Sequence, residues 1–77
     1  MQMVRLLKIQ DVLTAARSFL LLQLNADYSS IKFSGAKFIS GTWTVGCSYE
    51  EKASTTRRGI VLQISDSTGE VISFTSV

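Results

Sequence analysis

The chain has 77 residues, a formal net charge of +2 and no histidine. Its length predicts one small domain over residues 1–77, and its balance of 45% hydrophobic to 18% charged residues favours a folded chain over a disordered one. The missing histidine removes the commonest general base and metal ligand. Its eight basic residues are scattered apart from the Arg57-Arg58 pair, which argues against a strongly basic nucleic-acid-binding surface.

The apolar segment near the start of the chain is too short and too interrupted to span a membrane. Arg17 and Gln23 fall within or beside it, and it does not reach the ~20 apolar residues that a spanning helix needs. The polar residues also argue against a signal peptide. One cysteine, Cys47, cannot form an internal disulfide, so we expect a reducing compartment and place the protein in the cytoplasm.

Between Lys8 and Leu24 the apolar residues recur at steps of three and four, which predicts an amphipathic helix. Leu21 and Leu22 widen the apolar surface beyond one stripe, so we expect a loop or a second chain to cover them. Asn25 is a plausible helix stop because asparagine tolerates the left-handed conformation. Residues 3–7 could open the helix or form an extended arm.

After residue 30 the apolar residues alternate, as they do in strands that bury one face. Four strands are predicted: 31–40 with a bulge or a bend at Gly35, 42–50, 60–65 and 71–75. The inward residues of the last three are predicted to be Trp43, Val45, Cys47, Tyr49, Ile60, Leu62, Ile64, Ile72 and Phe74. A tight Ser40-Gly41 turn follows the first strand, and a polar loop over residues 66–69 joins the last two. Residues 51–59, with Arg57 and Arg58, read as an exposed loop.

These elements predict an α+β fold, with an N-terminal amphipathic helix packed on one face of a four-stranded antiparallel meander sheet. We find no catalytic constellation and predict neither a cofactor nor a metal site. Cys47 lies in the inward row and is interpreted as a core residue, and Asp66 as a turn residue that bonds nearby backbone. The protein is therefore predicted not to be an enzyme.

The order of these elements resembles the PepSY-like group of small domains, which includes proteins similar to the gas-vesicle accessory protein O. The resemblance covers roughly residues 9–77. It is carried by three features: the small pair Ala15-Ala16, then Gly41, Trp43 and Val45, then Asp66, Thr68, Gly69, Glu70 and Val71. The resemblance implies a helix-on-sheet binding module, and it brings no catalytic residues with it. The Arg57-Arg58 segment and the run of leucines depart from the group's pattern.

The leading functional hypothesis is a small non-enzymatic protein-interaction or regulatory module, with homodimer formation as its simplest form. The candidate interaction residues are Leu21, Leu22, Arg57 and Arg58. The alternative is nucleic-acid binding through Arg57-Arg58 and the basic start of the chain. A third hypothesis, association of the helix with a membrane surface, has only Lys8 and Arg17 to support it.

Overall fold

A computed structural model describes residues 7–77 as one helix packed against one four-stranded sheet, which confirms the predicted α+β fold. The strands are antiparallel and neighbour one another in chain order. Residues 3–7 were predicted to be either part of the helix or an extended arm, and most of them, residues 3–6, lie outside the described residues. The elements are helix α1 (Ile9–Gln23), a 3₁₀ turn (Tyr28–Ser30), β1 (Lys32–Ile39), β2 (Thr42–Glu50), β3 (Arg57–Ser65) and β4 (Val71–Ser76).

Helix α1 covers most of the apolar repeat predicted between Lys8 and Leu24, and Leu7, which could have opened the helix, lies before its start. The Asp11 carboxylate accepts a hydrogen bond from the Lys8 backbone N–H at 3.1 Å, which satisfies one of the amides left unpaired at a helix start. Asn25 ends the helical run with a φ of 55°. The residues that face the sheet, Val12, Ala16 and Leu20, are completely buried. No helix within residues 7–77 is long and apolar enough to cross a membrane.

Strand β2 supplies the centre of the core. Its alternate residues pair with the alternate apolar residues of β3, and both rows are buried beneath the helix. The β1–β2 register shifts between Phe33 and Gly35, which confirms the predicted bulge or bend. Ser40 and Gly41 both have positive φ, as the central residues of a two-residue hairpin turn require. The buried residues of the two rows are Trp43, Val45, Cys47, Tyr49, Ile60, Leu62 and Ile64.

The predicted inward face of β4 is wrong at Ile72. Ile64 pairs with Val71 while the preceding residue, Gln63, pairs with Ser73, so Ile72 is the extra residue of a bulge. The bulge shifts the alternation by one residue: Val71 packs against the core, whereas Ile72 is 57% exposed. Phe74 does lie opposite the buried Leu62, as predicted, but it remains 49% exposed because it is on the outermost strand.

The predicted loop over residues 51–59 is also too long. Strand β3 begins at Arg57, where the ladder pairs Glu50 with Arg57 and Tyr49 with Arg58. Neighbouring residues of a strand point to opposite faces, so the two arginines diverge. Glu50 and Arg57 also form an ion pair across the ladder. This pair favours extended backbone at Arg57, before Ile60, where the apolar alternation that predicted the strand begins.

Asp66 has a larger role than the predicted local turn. Its side chain is buried, and its Oδ1 accepts hydrogen bonds from the Trp43 indole Nε1 at 2.9 Å and from the Leu7 backbone N–H at 3.0 Å. One carboxylate therefore joins the β3–β4 loop, the central tryptophan and the chain just before α1. This contact holds the start of the helix over the sheet.

Candidate interaction surface

Exposed apolar side chains gather along one side of the molecule, where the second half of α1 meets β4. The Phe19 and Phe74 rings lie 5.3 Å apart between their centroids, and Leu22 is one helical turn beyond Phe19 on the same side of the helix. Phe74 faces the helix layer, and within residues 7–77 no strand lies beyond it, so the inner apolar row of the described sheet ends at this edge. We call this the α1–β4 surface; it comprises Phe19, Leu22 and Phe74.

The two leucines predicted for interaction differ in exposure. Leu22 is 81% exposed, whereas Leu21 is half-buried. Moving a leucine side chain of this exposure from water into an apolar contact contributes about 1.5–3 kcal/mol of free energy. Leu22 is therefore the stronger of the two candidates, and Leu21 contributes less free surface than the sequence suggests.

The two edges of the sheet are protected differently. Edge strand β1 carries Lys32 and Lys37, both exposed, and a bulge next to Gly35. Lysines and bulges are the features by which natural sheets discourage pairing with another strand. Edge strand β4 has a bulge at its start but no charged residue from Val71 to Ser76. The β4 edge is thus the one open to a further strand.

The two candidate arginines are already engaged within the fold. Arg57 forms a 3.1 Å ion pair with Glu50 and donates further hydrogen bonds to the Ser30 carbonyl and to Ser48 Oγ, each at 3.0 Å. Arg58 forms a 3.2 Å ion pair with Glu51. The structure therefore does not bring the two guanidinium groups together on one free surface. Arg57 instead ties the 3₁₀ turn to the sheet.

Arg17 makes contacts with two aromatic rings that the helical pattern does not predict. Its guanidinium carbon lies 5.4 Å from the centroid of the Tyr28 ring and 5.5 Å from that of Phe33. Cation–π contacts of this kind are worth about 0.5–1 kcal/mol at exposed sites. Helical spacing predicts only that Arg17 is polar; the aromatic partners come from distant segments, so no local signal points to them.

The face of the sheet opposite the helix bears an open groove of about 390 Å³. Gly46 forms part of its floor, and a Cβ added there would lie 2.7 Å from Ser34 Oγ, so the serine hydroxyl would have to move to admit any other residue. Lys37 is the only charged residue in the lining, which comprises Ser34, Gly35, Ala36, Lys37, Thr44, Gly46 and Val61. Hydroxyls and one ammonium can bind a ligand weakly, but they form no acid–base pair.

Within residues 7–77 no group of three or more His, Cys, Asp and Glu side chains is placed to hold a metal ion. Cys47 is buried, and this desolvation raises the pKa of its thiol from 9.0 to about 11. A thiol that stays protonated at neutral pH is a poor nucleophile. The structure therefore places Cys47 in the core, as the sequence predicts.

The raised pKa of Cys47 predicts a loss of stability at alkaline pH. A raised folded-state pKa contributes stability that is complete below pH 9.0 and is lost as the pH rises through about 11. We expect the free energy of unfolding to fall by about 2–3 kcal/mol across that window from this group. Urea melts at a series of pH values measure how steeply the free energy of unfolding falls with pH.

A Cys47→Ala variant is the control for this alkaline slope. Burial also raises the pKa of Tyr49 in both proteins, and the charge of Cys47 adds to that rise in the parent alone, so the difference in slope reports the thiol together with its effect on the tyrosine. The variant should lose less stability than the parent between pH 9 and 11, whatever the substitution costs in packing. Equal slopes in parent and variant would show that Cys47 does not titrate as a buried thiol.

Comparison of the chain with family models, with curated proteins and with solved structures finds no match. The resemblance to PepSY-like domains accordingly stays a prediction from the sequence.

Proposed function

We propose that the protein is a small non-enzymatic interaction module that self-associates through the α1–β4 surface. The observation that carries the proposal is Leu22, a large apolar side chain left 81% exposed beside the Phe19–Phe74 contact. Single exposed leucines are ordinary, but a group of apolar side chains beside an uncharged strand edge is typical of protein contact sites. A reducing compartment such as the cytoplasm suits the free thiol of Cys47.

Nucleic-acid binding through Arg57 and Arg58 is the alternative reading, and it has less support. Both guanidinium groups are paired with carboxylates, and ion pairs of this kind offset the charge that would attract phosphate. The module reading therefore predicts no gel shift of short RNA or DNA at low salt. A shift that weakens steeply with added salt would favour the alternative.

Sedimentation of parent and Leu22→Ser proteins tests self-association. We expect the parent to form dimers at micromolar concentration and the Leu22→Ser substitution to weaken the dimer by about tenfold or more, because one buried leucine contributes about 1.5–3 kcal/mol. The matched control is Gln23→Ser, which alters the neighbouring exposed residue of the same helical turn without removing apolar surface. Circular dichroism should show all three proteins equally helical.

A parent chain that sediments as a monomer at high micromolar concentration would contradict self-association. Equal weakening by Leu22→Ser and Gln23→Ser would contradict the α1–β4 surface as the contact, even if a dimer is present.

A further inference from the structure

We propose, resting on the self-association above, that two copies of the chain pair their β4 strands antiparallel about a two-fold axis at Thr75. The two four-stranded sheets would then form one eight-stranded sheet, with both helices on the same side. The partner is a second copy of this chain. The proposal follows from which backbone groups of β4 face outward, from the charges on the two sheet edges and from the position of Phe74.

The hydrogen-bond phase of β4 shows which peptide groups are open. The Val77 N–H donates to the Gly59 carbonyl at 3.0 Å, so the pair of residues 59 and 77 is a hydrogen-bonded pair of the antiparallel ladder. Such pairs alternate with non-hydrogen-bonded ones, so Thr75, opposite Val61, also directs its peptide groups toward β3. Phe74 and Ser76 therefore direct theirs to the open edge, beyond which residues 7–77 provide no further strand.

A two-fold rotation places the open peptide groups of one copy against the open peptide groups of a second copy. With the axis at Thr75, Phe74 of one copy lies opposite Ser76 of the other, and the two equivalent pairs exchange four backbone hydrogen bonds. An axis at Phe74 would instead require the bulged Ile72 to pair with Ser76, where the regular ladder is already broken. The register about Thr75 uses only the regular part of the strand.

Charge selects β4 over β1 for the pairing of identical chains. Each copy has a net charge of +2, so contacts that bring basic residues together are penalised. Pairing β1 with β1 would bring the Lys32 and Lys37 ammonium groups of the two copies near one another, whereas the β4 segment from Val71 to Ser76 carries no charged side chain. Pairing β1 with β4 would leave two edges open and produce chains of molecules rather than a closed dimer.

The proposed register also covers the apolar side chains that the fold leaves exposed. Phe74 and Ser76 share the helix side of the sheet, so the two Phe74 rings become diagonal neighbours across the new strand pair, about 7–8 Å apart at their backbones. Phe19 lies against Phe74 in each copy, and Leu22 follows one turn later, so the second helix approaches this side. The dimer would bury the α1–β4 surface that the single chain leaves in water.

A Thr75→Cys variant tests the register directly. In a non-hydrogen-bonded antiparallel pair the two Cα atoms are about 4.5 Å apart, which lies inside the range of about 4.4–6.8 Å that a disulfide spans. Under mild oxidation we expect a disulfide-linked dimer to form about tenfold faster than in the control, because pairing holds the two thiols at high effective concentration. The control is Ser34→Cys, which places an exposed thiol on the opposite edge strand, β1.

Backbone amide exchange measured over a concentration series completes the test. The Phe74 and Ser76 amides should exchange slowly in the dimer and faster on dilution, while the Thr75 amide, bonded to β3, should change less. A dimer by sedimentation without faster Thr75→Cys cross-linking, or without protection of those two amides, would overturn the β4 pairing and leave self-association standing. A monomeric parent would overturn both.

Discussion

Replacing Trp43 by alanine will lower the free energy of unfolding by about 3–5 kcal/mol, which is comparable to the whole stability of a domain this small. Its indole is 2% exposed, lies opposite Ile64 on β3 and contacts the Phe38 ring at 5.4 Å between centroids. Removing it leaves a cavity beneath α1 and deprives Asp66 of a hydrogen-bond donor. Urea melts followed by circular dichroism measure the effect in parent and variant alike.

Thr44→Ala is the matched control for the tryptophan variant. Thr44 is the next residue of β2 but points to the opposite, half-exposed face, so its truncation should cost less than about 1 kcal/mol. A Trp43→Ala protein as stable as the Thr44→Ala protein would contradict the central place of the indole in the core.

The change of side-chain period near residue 30 was enough to predict the architecture. Three- and four-residue steps place Val12, Ala16 and Leu20 on one helical face, and all three are fully buried. Strict alternation from Trp43 to Tyr49 gives the inner row of β2, which is also buried. Such patterns follow directly from helix and strand geometry, so they can be read locally without knowing which segments meet.

The errors fall where a residue's position depends on its neighbour in space. The bulge at Ile72 follows from the register of β4 against β3, which the residues of β4 alone do not specify. The early start of β3 at Arg57 depends on Glu50 across the ladder. For Asp66 a signal was present: Ile60, Leu62 and Ile64 alternate inward, and residue 66 is the next position of that series.

The candidate interaction surface could be predicted only in part. A surplus of leucines on α1 pointed to both Leu21 and Leu22, because together they widen the apolar surface beyond one stripe, but it did not show that Leu22 is the more exposed of the two. The contribution of β4 could not be predicted, since it requires knowing that this strand lies at the edge and that Phe74 is on the helix side. The ion pairs of the two arginines could not be predicted, because Arg57 meets Glu50 across the β2–β3 ladder and Arg58 meets Glu51 just beyond β2.

Replacing Asp66 by alanine should cost about 2–4 kcal/mol of stability. The substitution leaves two donors, the Trp43 indole N–H and the Leu7 backbone N–H, without the carboxylate that now accepts from both. A buried donor left unsatisfied costs about 1–3 kcal/mol, and part of this is recovered because a buried charge is removed as well. Urea melts followed by far-ultraviolet circular dichroism, which does not depend on the tryptophan, report the loss.

A double-mutant cycle with Trp43→Phe separates the indole contact from the other effects of the Asp66 substitution. Phenylalanine keeps an aromatic ring but removes the N–H donor, so Asp66→Ala should cost about 1–2 kcal/mol less in that background. Asp27→Ala is the comparison for a carboxylate that bonds only nearby groups, the backbone and hydroxyl of Ser29, at an exposed position, and it should cost about 1 kcal/mol or less. If Asp66→Ala cost the same with tryptophan and with phenylalanine at position 43, the carboxylate–indole bond would contribute nothing measurable, and the anchoring of α1 would rest on packing alone.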